Sequence, residues 1–188
     1  MNDASANLTN HFLIAMPQLE DPNFYQTATY ICEHTAEGAM GLIINRPMNI
    51  QLADVLEQME ISATDPACQQ IPVYYGGPVQ VERGFILHSP ATQWESTVTV
   101  TDNLAITTSR DILIDIAEGK GPKQYLITLG YAGWGAGQLE FELGQNTWLS
   151  GPADPAILFD VAVEDRWMRA AQDLGVDLNL LSGDSGHA

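Results

Sequence analysis

Between Tyr125 and Leu149 the chain reads Y-L-I-T-L-G-Y-A-G-W-G-A-G-Q-L-E-F-E-L-G-Q-N-T-W-L, placing Gly130, Gly133, Gly135 and Gly137 within eight residues. Glycine at that density lets backbone turn sharply or approach another group closely, at an entropic cost that needs a structural or functional reason. The pattern predicts an apolar strand over Tyr125–Leu129, a glycine-rich turn, and a short amphipathic helix from Gln138 to Leu143. A strand, a turn and a helix start can together cradle an anion on free N–H groups. The named phosphate loops do not fit. Walker A needs Lys-Ser/Thr after its last glycine, where Gln138-Leu139 stands. A dinucleotide fingerprint needs G-x-G-x-x-G opening a long helix; the spacing here is G-x-x-G-x-G-x-G, and Gly144 limits the helix. Two uses remain. Gly133, Gly135 and Gly137 line a looser small-ligand site with Trp134 as a flat wall, or they form a tight packing corner around Tyr131 and Trp134. Close packing is the commoner use of such glycines.

Arginine is the second resource. Arg46, Arg83 and Arg110 stand at element ends, three of only seven basic residues. Converging, they would form a pocket for a carboxylate or phosphate. The bland alternative is structural ion pairing, with Glu82 and Asp111 at hand. His34 and His88 sit at strand ends, but no G-x-S-x-G elbow or signature cysteine accompanies them. No HxxxH or CxxC spacing suggests a metal, and no cofactor is expected. Cys32 and Cys68, 36 residues apart, are expected to be free thiols.

Short strands must position these side chains. Strand-like runs are expected over His11–Met16, Thr27–Thr35, Met40–Asn45, Val73–Tyr75, Gly84–His88, Ser96–Val100 and Leu104–Thr107, several of them stopped by proline. The second and third are joined by A-E-G, a hairpin signal. Leu52, Val55, Leu56 and Met59 fall at i, i+3, i+4, i+7 and predict a helix, with Asn49 as its cap. Further helices are expected after Ser109, after Gly137, and over Trp167–Leu174; Trp148-Leu149 and Ile157–Phe159 look extended. M-G-L-I-I-N-R-P and R-G-F-I-L-H-S-P share a pattern 43 residues apart. Strands outnumber helices, and few strand pairs have a crossover helix between them. That favours an α+β single domain with a mostly antiparallel or mixed sheet and about four short helices. Residues 1–10 read as a loose polar arm, 11–180 as one domain and 181–188 as a frayed tail.

Composition narrows the partners. Seven Lys and Arg face 24 Asp and Glu, a net charge of −17. Duplex DNA carries one negative charge per ~1.7 Å of axis, so direct nucleic-acid binding is disfavoured. The acidity also opposes anionic membrane surfaces. No run approaches a membrane span or a signal peptide, and a cytoplasmic protein is expected.

M-G-L-I-I-N-R-P, Y-Y-G-G-P-V, R-G-F-I-L-H-S, the T-S-R-D helix start and L-G-Y-A-G-W-G-A-G-Q-L-E, in that order, resemble the YqgE/AlgH family of bacterial proteins. The resemblance runs from about Leu13 to Leu174. It implies an α+β fold of bent sheets with packed helices and supplies no catalytic residues. Its function is largely uncharacterised; the AlgH name comes from an implied part in transcriptional control of alginate production. The leading expectation is therefore a non-catalytic binding or regulatory protein acting through a small anionic ligand or a protein partner. An enzyme using Arg46, Arg83, His88, Arg110 and the glycine corner comes second, and a DNA-binding transcriptional regulator third.

Overall fold

The computed structural model describes residues 7–181. A meander opens it: β1 (His11–Ala15), β2 (Ala28–Thr35) and β3 (Gly38–Ile43) pair antiparallel in chain order. β4 (Pro47–Gln51) leads into α1 (Leu52–Gln58), and a 3₁₀ turn at Pro66–Gln70 into β5 (Pro72–Tyr75). β6 (Val79–Ser89), β7 (Thr97–Thr99) and β8 (Ala105–Thr107) form a second antiparallel group, followed by α2 (Arg110–Ala117). β9 (Gln124–Gly135), α3 (Gln138–Gly144), β10 (Trp148–Pro152), α4 (Pro155–Phe159), α5 (Arg166–Gln172) and α6 (Leu178–Leu181) complete the chain. The strands lie in the order β10-β1-β2-β3-β9-β6-β8-β7, with β5 parallel to β9 and β4 beyond it. The fold is α+β in one domain, as expected, with more helices than the four anticipated.

β9 is the largest departure from expectation. The glycines do not end a strand in a turn; they lie within one strand of 12 residues. Its first half pairs with β5 and β6, its second with β3. Between the halves Gly130 adopts φ +79°. Around that residue the side-chain alternation changes phase. Ile127 and Leu129 face the α1/α2 core, Tyr131 faces the opposite core, and Ala132 and Trp134 belong to a third cluster. Alternation has period two, so one left-handed residue redirects everything after it. The pivot is tight, since a Cβ on Gly130 would lie 2.4 Å from the Gly77 carbonyl oxygen. On the neighbouring strand, Val79 pairs with Tyr131 and Gly84 with Leu129, so residues 80–83 bow out as a bulge. Bulges bend a strand and re-aim its side chains. Here the bulge carries Arg83.

Alternate strand residues feed opposite faces. Phe12, Ile14, Tyr30, Leu42, Phe85 and Leu126 pack under α4, α5 and α6. On the reverse face Val73, Ile86 and Ile127 pack under α1 and α2, while Leu13, Ile31, Trp134 and Trp148 close around α3. The helix stripe Leu52/Leu56 is core as predicted, although Asn49 lies in β4 and the helix begins after Gln51, whose N–H donates to Asp54 Oδ2 at 2.8 Å. Ile157–Phe159, expected to be extended, belongs to α4. Asp154 caps it by accepting from the Ala156 N–H, and Pro155 occupies the first turn.

The expected loose arm is corrected where it is described. Leu8 is buried against the Trp134/Trp148 cluster, and its N–H donates to His34 Nδ1 at 3.0 Å. Residues 1–6, and 182–188 of the expected frayed tail, lie outside the described residues.

Both cysteines are buried free thiols. Burial pushes the Cys32 and Cys68 thiols up, with Glu33 and Asp65 respectively adding to the effect. The thiolate is the reactive form. A chromogenic disulfide reagent at pH 8 is therefore expected to release no colour from native protein and two equivalents after guanidinium unfolding. Rapid native labelling of either thiol would contradict the burial described.

Candidate functional site

α1 and α2 lie over β6 and β9, and between them opens a cleft of about 490 Å³. That volume suits a small molecule. Its apolar lining is Val55, Ile86, Leu113, Ile127 and Leu129; Arg83, Thr108, Ser109 and Arg110 supply donors. The β6 bulge delivers Arg83, and the first position of α2 delivers Arg110. Arg83 Nη2 donates to Thr108 Oγ1 at 3.3 Å, and its guanidinium carbon lies 5.6 Å from the Phe85 ring centroid. Arg110 Nη2 donates to the Met59 carbonyl at 3.1 Å, fastening the start of α2 to the end of α1. Among the described residues neither guanidinium comes within 4.0 Å of a carboxylate.

The anticipated ion pairs therefore do not form. Asp111 is occupied elsewhere: it accepts from the Ser109 hydroxyl at 2.6 Å and from the Glu95 N–H at 2.9 Å. Burial pushes its carboxyl up, but these bonds, with the nearby backbone N–H groups, hold it below the usual carboxylate range. Asp54 and Glu82 do line the cleft, so two carboxylates share it with two arginines.

The other anticipated site residues are elsewhere. Arg46 does not join this cleft; its guanidinium donates to the carbonyls of Pro22, Asn23 and Tyr25 at 2.7–3.0 Å, holding the loop before β2. His88 is fully buried beneath Trp94. Its Nδ1–H donates to the Pro90 carbonyl at 2.9 Å, so Nε2 accepts the Thr107 hydroxyl at 2.7 Å. Thr107 in turn accepts from Thr97, which accepts the Trp94 N–H, each at 2.7 Å. Burial lowers the His88 pKa, partly offset by the Pro90 bond. Every ring nitrogen is committed, which makes His88 a structural node of β6–β8.

The glycine corner is packed rather than open. The Gly135 N–H is taken by Gln138 Oε1 at 3.0 Å. Gly137 immediately precedes α3, a helix of seven residues. The Trp134 ring is buried, with Trp148 and Phe24 centroids each 6.1 Å away. Gly133 and Trp134 line a concavity, and it is a separate one beside β3. The single pocket expected from arginines and glycines is thus two places, with Arg83 and Arg110 alone brought together.

Several important side chains have structural roles that the sequence analysis does not assign. Glu142 Oε1 accepts both the Trp134 and Trp148 indole N–H groups, at 3.0 and 2.9 Å. Arg166 is buried, donates to the Ile44 and Val161 carbonyls, and lies 5.3 Å from the Tyr74 centroid. His34, whose Nδ1 accepts the Leu8 N–H, donates from Nε2 to Glu140 at 2.8 Å. Spacing from α3 to Trp134 (four and eight residues) was the available clue for Glu142. Among the described residues no His, Cys, Asp or Glu group could hold a metal ion, and no helix is long and apolar enough to cross a membrane.

Comparison with known proteins places this architecture. The AlgH-like family model matches residues 12–179. A UPF0301 protein of Thioalkalivibrio sulfidiphilus is 57% identical over 185 residues, covering 98% of this chain and 99% of the relative. UPF0301 protein AlgH of Pseudomonas aeruginosa is 57% identical over 182 residues, 96% of each chain. The solution structure of the P. aeruginosa AlgH protein aligns over all of both chains with a TM-score of 0.80 at 55% identity. A crystal structure from Corynebacterium diphtheriae aligns at a TM-score of 0.75 with 19% identity over 97% of this chain and 94% of that one, a likeness of fold alone. The motifs along the strands and the fold they build agree with these matches, and the chain belongs to the AlgH-like family.

Proposed function

We propose that this protein is a non-catalytic binding module for a small amphipathic anion, a carboxylate or phosphate ester with an apolar body, held in the cleft between α1 and α2. One observation carries the proposal: Arg83 and Arg110 line one cleft with an apolar floor, and neither has a carboxylate partner within 4.0 Å among the described residues. An arginine fork matches carboxylate and phosphate oxygens in geometry and charge. The floor rewards an apolar tail by about 25 cal/mol for each Å² removed from water. No histidine, cysteine or lysine lines the cleft, and the Ser109 hydroxyl, which does, donates to Asp111 Oδ1 at 2.6 Å.

A thermal-shift series with octanoate, octyl phosphate, inorganic phosphate and octyl glucoside tests this. Octanoate or octyl phosphate at about 100 times its Kd contributes ~2.7 kcal/mol, a rise of roughly 5–10 °C for a chain of this size. Inorganic phosphate and the neutral glucoside should give much smaller shifts. Arg83→Gln with Arg110→Gln should remove the rise. An absent rise, or one the double variant keeps, would refute the proposal.

A further inference from the structure

A second concavity, shallow and of about 590 Å³, lies where β2, β3 and β9 end together. Glu33, Glu37, Met40, Val79, Tyr131 and Gly133 line it, and no lysine, arginine or histidine does. We infer that this groove receives an arginine side chain from an extended segment of a partner protein.

The aromatic wall is held in place on two sides. Gly133 has no side chain, and the Tyr131 ring leans over it so closely that a Cβ there would lie 3.3 Å from Tyr131 Cε2. The Phe85 ring meets Tyr131 edge-on, centroids 5.5 Å apart and planes at 70°. A ring positioned in this way needs no ordering when a cation lies against it, and an arginine over a tyrosine face gains about 0.5–2 kcal/mol. Beside the ring stand Glu33 and Glu37, both exposed on the β2–β3 hairpin and neither in an ion pair among the described residues. A guanidinium flat against the ring keeps its N–H groups free at the edge for charge-assisted bonds to those carboxylates. Met40 and Val79 supply apolar surface for the stem of the incoming side chain.

Charge complementarity selects the occupant. A nucleic acid would bring phosphates to two carboxylates in a chain of net charge −17. A second copy is less suited: Arg46 is spent on three carbonyls, Arg166 is buried, Arg169 faces Asp173 on its own helix, and Arg83 and Arg110 are set in the cleft between α1 and α2. This site is separate from the cleft between α1 and α2, and neither proposal depends on the other.

The probe is the peptide acetyl-Gly-Arg-Gly-Arg-Gly-amide, titrated into ¹⁵N-labelled full-length protein, with the Glu-for-Arg peptide as control. Saturable amide shifts are expected for residues 33–40 and 131–133, and none of that pattern with the acidic peptide. Glu33→Gln with Glu37→Gln, both exposed positions, should weaken binding about tenfold or more. Tyr131→Phe should retain binding and Tyr131→Leu lose it; if the latter does not fold, the glutamate pair decides. Glu57→Gln with Glu60→Gln, exposed carboxylates on and just after α1, should leave binding unchanged. The inference fails if shifts spread over the acidic surface, if the Glu57/Glu60 variant weakens binding as much as the Glu33/Glu37 variant, or if no saturable shift occurs. It also fails if the same amides shift on raising protein concentration without peptide, which would make a second copy the occupant.

Discussion

Gly130→Ala is expected to destabilise the protein by about 3–5 kcal/mol, enough to leave much of it unfolded at 37 °C if stability lies at the low end of the usual range. Two costs combine. Alanine at φ +79° occupies a region that L-residues avoid. Its Cβ would also stand 2.4 Å from the Gly77 carbonyl oxygen. That neighbour is backbone and cannot rotate aside. Gly77 itself leaves no slack, because a Cβ there would come within 2.1 Å of the Tyr131 carbonyl carbon. Relief would require opening the contact between the Gly76-Gly77 turn and β9, and with it the phase change that sends Trp134 to its cluster. Gly84→Ala is the control. Gly84 pairs with Leu129, one residue from the pivot, yet a Cβ there would find its nearest neighbour at 4.0 Å. Urea unfolding followed by far-ultraviolet circular dichroism should place Gly84→Ala within about 1 kcal/mol of wild type. A Gly130→Ala midpoint equal to that of Gly84→Ala would show that the pivot is not under the constraint described.

The second large effect belongs to Glu142. Removing its carboxylate with alanine strips two buried indoles of their acceptor and is expected to cost about 2–6 kcal/mol, at about 1–3 kcal/mol per orphaned donor. Trp134 and Trp148 cannot easily turn elsewhere, since they meet each other edge-on, Phe24 packs against both and Leu139 belongs to the same cluster. Glu142→Gln retains one carbonyl oxygen, and Oε1 alone accepts both indoles in the wild type. The glutamine variant should therefore lie within about 1 kcal/mol of wild type. Denaturant melts of the three proteins decide the matter. Equal losses for alanine and glutamine would mean that charge, not hydrogen bonding, is what the tryptophans require.

These two sites show what was legible before the structure. Proline-stopped strands and the Leu52/Leu56 stripe announced themselves because both patterns are local: a missing N–H, a period of 3.6. The pivot at Gly130 did not. A glycine in a strand and a glycine in a turn look alike in one dimension, and the close approach that demands it comes from Gly77, 53 residues earlier. Arginine fared in between. Positions at element ends marked Arg46, Arg83 and Arg110 as candidates for one pocket; Arg83 and Arg110 line one cleft, while Arg46 spends its guanidinium on three loop carbonyls. Asp111 misled for a similar reason. Adjacent in sequence to Arg110, it is drawn away by Ser109, two residues off, and by the Glu95 N–H, which the fold brings in from 16 residues earlier. The Asp154-Pro155 start of α4 is a local capping signal that the extended reading of Ile157–Phe159 left out.

The strand order has a consequence for how the protein is made. β1, synthesised before the other strands described, lies between β2 and β10, and His11 pairs with Pro152. β3 likewise waits for Ala132–Gly135, and β6 for Gln124–Leu129. On the ribosome the opening meander and the β6–β8 group must therefore each hold an unpaired edge until β9 emerges to join them. Such edges invite mispairing. The early chain meets that interval with seven proline residues before β7 and a surplus of carboxylates, and the late arrival of a single long strand is the event that turns two half-sheets into one.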